Sequence, residues 1–80
     1  MTREEALKMI KSENLQNFNW FSMRNSYPNE VGIIIKDNTW IVYSTDERAS
    51  IRNQVKFQSE SDALTEFIER LRADKILRSL

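Results

Sequence analysis

The stretch Val31-Gly32-Ile33-Ile34-Ile35-Lys36-Asp37-Asn38-Thr39-Trp40-Ile41-Val42-Tyr43 decides the fold, because two β-rich runs flank a residue pair that tolerates positive φ. A two-residue turn at Asp37-Asn38 sets Ile35 opposite Trp40 and Ile33 opposite Val42 on one face of a hairpin. The same register sets Ile34 opposite Ile41 and Gly32 opposite Tyr43 on the other. Both faces are apolar, so whichever one the rest of the chain leaves open is a candidate interface.

Polar clusters flank this hairpin. Before it come Arg24, Asn25, Tyr27, Pro28, Asn29 and Glu30, and after it Thr45, Asp46, Glu47 and Arg48. Unlike charges and hydrogen-bonding groups beside an apolar sheet are the profile of a docking surface.

Further out, Thr2 followed by Glu5 is a capping box, and Ala6, Met9 and Ile10 predict a thinly apolar helix over 3–13 that stops at Asn14. Phe18, Trp20, Phe21 and Met23 predict a strand over about 17–24, and Pro28 marks a loop. Beyond the hairpin, Ile51, Asn53, Val55 and Phe57 alternate with Arg52, Gln54, Lys56 and Gln58, predicting a strand over 51–58. Ser59 or Ser61 caps a last helix whose Leu64, Phe67, Ile68 and Leu71 form a core-facing stripe. Ile76, Leu77 and Leu80 project from its opposite side, so they either cover another part of the domain, fray, or meet a partner, a weak homodimer being one such contact.

The expected architecture is α+β in the order α-β-β-β-β-α: an antiparallel four-stranded meander with both helices packed on one sheet face. Residues 1–80 make one expected domain, since a chain of 80 residues supports one modest core, burying roughly 60–65% of its unfolded surface.

Composition narrows the chemistry. With no cysteine and no histidine, thiolate catalysis, zinc-thiolate sites and the commonest general base are excluded. A lone glycine cannot build a phosphate-binding loop, and Asp46-Glu47 lacks the spaced ligands of a calcium site. Adjacent carboxylates on an extended segment also point apart, so no catalytic residue, metal or cofactor is expected. Twelve basic and twelve acidic residues cancel, leaving no global field to draw the chain to nucleic acid or membrane. Absence of disulfides, an acidic start at Glu4-Glu5 and no long apolar run together favour the cytoplasm.

Two kinds of binding remain. The element order is similar to double-stranded-RNA-binding domains, but Glu60 and Asp62 stand at the start of the last helix, where those domains need positive charge. Arg52 and Lys56 with exposed aromatics keep open a small nucleic-acid-binding or regulatory module. The other is a protein partner, with Arg24, Arg48 and Tyr43 as anchors of the kind enriched at interfaces.

Ser22-Met23-Arg24-Asn25, Asn29-Glu30-Val31-Gly32 and Trp40 to Arg48, followed by an acidic amphipathic helix, resemble immunity proteins of bacterial polymorphic toxin systems, of the Immunity protein 59 type. The likeness runs from the first helix to about Arg72. It implies a non-enzymatic α+β protein, encoded beside a secreted toxin, that binds and occludes that toxin. By that resemblance Arg24, Asn25, Glu30, Tyr43, Asp46, Glu47 and Arg48 are the expected partner-binding residues, with Trp40 also matched.

Overall fold

A computed structural model describes residues 1–80. Its elements are α1 (Arg3–Ser12), β1 (Phe18–Trp20), β2 (Val31–Lys36), β3 (Thr39–Thr45), β4 (Ile51–Phe57) and α2 (Glu60–Arg78). Thr2 caps α1 through the reciprocal bonds with Glu5, and Ser59 caps α2 by accepting from the Asp62 amide. No helix is long and apolar enough to cross a membrane.

Four strands form one sheet in the order β1-β2-β3-β4. The β2–β3 hairpin has the expected register, and Asp37 and Asn38 both take positive φ, 52° and 58°, the geometry of a type I′ turn. The all-antiparallel meander is wrong at one pairing: β1 runs parallel to β2, Phe18 opposite Val31 and Trp20 opposite Ile33. The reason is where β1 stops. Phe21 takes a φ of 57° and turns the chain after only three strand residues, so residues 21–30 carry it back to the end of the sheet where β1 began. A parallel connection usually needs a dozen or more residues, but a strand about 10 Å long leaves little distance to cover.

The α2 helix lies along β2, β3 and β4, and α1 lies against α2. Val31, Ile33 and Val42 of the sheet join Ala63, Leu64, Phe67, Ile68 and Leu71 of α2 and Ala6 and Ile10 of α1 in one core cluster. Phe67 sits at its centre, edge-on to Phe18 at 6.1 Å and tilted against Trp20 at 5.9 Å. The helices run in the same direction. Arg3 pairs with Glu60 at one end, and Arg72 grips Glu13 through two bonds at the other.

The clean alternation expected of β4 is also broken. Trp40, Ile41 and Val42 face Phe57, Lys56 and Val55, but Ser44 and Thr45 face Arg52 and Ile51, so β4 carries one extra residue. Asn53, with a φ of 51°, absorbs it as a β-bulge. Ile51 therefore shares a face with Thr45, whereas Val55 shares the α2-facing side with Val42.

Candidate functional site

Alternation along the strands puts Gly32, Ile34, Ile41, Tyr43 and Ile51 on the face away from α2. That face is not bare. Tyr43 is 3% exposed and Ile41 6%, and residues of the 21–30 connection lie beside Tyr43. Gly32 lets the Tyr43 ring lie flat on the sheet, since a Cβ there would fall inside the ring. Tyr43 Oη accepts a bond of 2.9 Å from Asn19 Nδ2, which also donates to the Ser22 carbonyl at 2.8 Å. Asn19 Oδ1 in turn accepts from the Ser22 amide, so one buried amide side chain fastens the start of the loop to the sheet. Burial raises the Tyr43 phenol above its ordinary pKa, and the Glu30 charge adds to that against the opposing Asn19 bond.

Glu30 fixes the other end of the loop. Its carboxylate is 3% exposed and accepts from Arg24 Nη2 at 2.7 Å, Arg24 Nη1 at 3.1 Å and the Tyr27 amide at 3.0 Å. The Arg24 guanidinium also lies 3.9 Å above the Tyr27 ring and donates to the Asn25 carbonyl. Burial by itself pushes the Glu30 carboxyl up, but the Arg24 fork and the Tyr27 amide outweigh it and hold it below the usual carboxylate range.

The two polar clusters that flank the hairpin in sequence meet in space, because Val31 pairs with Ser44. Thr45 Oγ1 donates to the Tyr27 carbonyl and accepts from the Glu30 amide, and the Asn29 amide donates to the Asp46 carbonyl. Ser26 Oγ donates to the Ala49 carbonyl at 2.9 Å. Asp46 organises residues 46–50: Oδ1 accepts from the Arg48 and Ser50 amides and Oδ2 from Arg52 Nε. Those bonds, the Ser50 and Arg48 amides first, hold the Asp46 carboxyl below its usual pKa.

The expected partner-binding residues thus divide. Glu30 and Tyr43 are buried, Arg24 is half-buried against Glu30, and Asp46 spends its carboxylate within its own loop. Asn25, Glu47 and Arg48 point to solvent, and no ion pair occupies Glu47 or Arg48. Arg52, the cation invoked for nucleic acid, is paired with Asp46 at 3.2 Å. Sequence reasoning missed Asn19, whose only signal was an amide between Phe18 and Trp20, and Ile51, whose face depends on the bulge. Met23 is 70% exposed and Tyr27 59%, so the loop adds apolar surface of its own.

Beside this loop lies a hollow of about 260 Å³ lined by Asn19, Ser22, Met23, Arg24, Ile34, Tyr43 and Ile51, among others. A larger cleft of about 380 Å³ lies between the second half of α2 and the loops at this end, with Arg70, Asp74 and Leu77 on its helical wall. No group of three or more carboxylates is placed to hold a metal ion.

The chain is an α+β protein with a braced polar loop on one sheet face. The family model for Immunity protein 59 matches residues 1–79, and the chain belongs to that family. Searches of curated proteins and of solved structures gave no match.

Proposed function

We propose that this immunity protein neutralises one cognate toxin, encoded beside it, by binding the toxin directly and occluding its working surface without catalysis of its own. The family assignment supports the class, and the braced loop pair supports the mode. The Glu30 carboxylate accepts from Arg24 and the Tyr27 amide, Asp46 accepts from the Arg48 and Ser50 amides, and the bonds from the Asn29 amide to the Asp46 carbonyl and from Ser26 Oγ to the Ala49 carbonyl tie the two loops together. A loop ordered before binding loses less conformational entropy when a partner arrives, which favours tight, selective capture. Met23, Asn25 and Tyr27 on one loop and Glu47 and Arg48 on the other form the outward layer of that surface, above Arg24, Glu30, Tyr43 and Asp46 that hold it.

The test is co-expression of the chain with the C-terminal domain of the large secreted protein encoded next to it. Rescue of growth and a one-to-one complex are the expected results. Intact toxicity in the presence of folded protein would overturn the proposal.

A further inference from the structure

The three long strands, β2, β3 and β4, contain no carboxylate, and their cations are Lys36, Arg52 and Lys56. Arg52 is paired with Asp46 and, opposite Ser44, points to the α2 side. Lys36 and Lys56 are different. Both belong by register to the face away from α2, where Lys56 lies directly opposite Ile41 and Ile41 directly opposite Ile34. None of the six ion pairs in the molecule includes either lysine. With Asp37, Thr39, Ile41 and Gln54 they line a hollow of about 200 Å³, in which the two lysines outweigh the single carboxylate. The Ile34–Ile41 pair joins it to the apolar hollow under Met23 and Ile51, because Ile34 lines the second and Ile41 the first. A protein of zero net charge therefore has one sheet face that is apolar in its middle and positive at one end.

We infer that this face receives an acidic segment of the partner toxin that sets an apolar side chain between Met23, Ile34 and Ile51 and its carboxylates against Lys36 and Lys56. The inference rests on the toxin-binding reading above and specifies the chemistry of the partner. Charge selects among the occupants. A second copy laid on the same face brings no carboxylate from β2, β3 or β4 to meet the lysines, and where the lysine ends coincide like charges are penalised. A nucleic acid strand would need a run of exposed rings to stack on, but Tyr43 is buried, Trp20 and Trp40 pack towards the core, and the one exposed ring, Tyr27, already has Arg24 over one face. Lysines on a sheet also discourage edge pairing, a role that would leave partner affinity indifferent to their charge.

Three proteins decide the matter: the natural chain, Lys36→Glu/Lys56→Glu and Lys36→Gln/Lys56→Gln, each titrated with the neighbouring toxin domain at low and at moderate salt. Thermal melts confirm that all three are folded. Expected are a roughly tenfold or larger loss of affinity for the neutral variant and a loss of about 100-fold or more for the reversed one, with a flatter salt dependence in the neutral variant and a partial recovery of affinity with added salt in the reversed one. If the natural chain binds and both variants bind equally well, the acidic-partner inference falls while toxin neutralisation stands. If the natural chain does not bind, the toxin-binding reading itself falls and takes this inference with it. Binding of a single-stranded oligonucleotide that the reversed variant loses, with toxin affinity unchanged, would assign the lysines to nucleic acid and overturn the inference.

Discussion

Arg24 and Glu30 close a loop on themselves: both terminal guanidinium nitrogens reach both carboxylate oxygens, at 3.1 and 2.7 Å, across six positions of chain. The carboxylate is the buried partner, so the pair is asymmetric in what its loss costs. Removing Arg24 strands a desolvated negative charge, whereas removing the Glu30 charge leaves an arginine that can turn towards water.

Glu30→Gln is therefore expected to lower stability by about 1–3 kcal/mol, and Arg24→Ala to lower the melting temperature further than Glu30→Gln does. Urea denaturation and thermal melts of both variants measure this. Equal losses would overturn the asymmetry, and no loss in either would show that the loop is held without the Arg24–Glu30 pair.

Stability should be steady through neutral pH, because no histidine titrates there. Glu30 and Asp46 both have folded pKa values below their unfolded ones, so their contribution is fully present above about pH 4.3 and 3.9 respectively. It is lost as pH falls through the lower, folded values. The acid limb of the stability curve should be shallower in Glu30→Gln, as read by denaturant melts at stepped pH.

Gly32→Ala places a methyl group where the Tyr43 ring now lies and should cost about 1–3 kcal/mol by forcing the ring off the sheet. In Tyr43→Ala the same Gly32→Ala change should cost much less, so the double-mutant cycle should be non-additive. Additive effects would mean that the ring is not what requires glycine.

Ala49 holds a φ of 64°, a left-handed conformation that glycine adopts without strain. Ala49→Gly is expected to raise stability by roughly 0.5–1 kcal/mol, with an unchanged denaturant slope. A fall in the unfolding midpoint would show that residues 46–50 relax from this conformation in solution.

Arg48→Ala and Glu47→Ala should leave the melting temperature where it is while weakening the toxin complex roughly tenfold or more at whichever residue is a contact hot spot. Asp46→Ala should instead lower the melting temperature, because the Arg48 and Ser50 amides lose their acceptor. Titration calorimetry beside thermal melts separates the two outcomes.

Where period and turn chemistry agree, the fold was legible in the residues: the Asp37-Asn38 turn fixed the hairpin register, and Leu64, Phe67, Ile68 and Leu71 marked the buried side of α2. Both misreadings come from single residues in left-handed conformation. Phe21 ends β1 early and makes its pairing parallel, and Asn53 inserts into β4; phenylalanine in particular gives no local warning of positive φ. The site was legible as a cluster and not as a division of labour. Charge and polarity single out Arg24, Glu30, Asp46 and Arg48 alike, and only tertiary contacts tell which of them point inward.

The bulge at Asn53 also divides β4 into two halves whose side chains serve different faces of the sheet. Downstream of it, Val55 and Phe57 belong with the packing around Trp40 and Val42; upstream, Ser50 and Ile51 belong to the surface a toxin would meet. Here a single inserted residue acts as a clutch: it turns Ile51 to the face away from α2 while the half that carries the scaffold stays in gear.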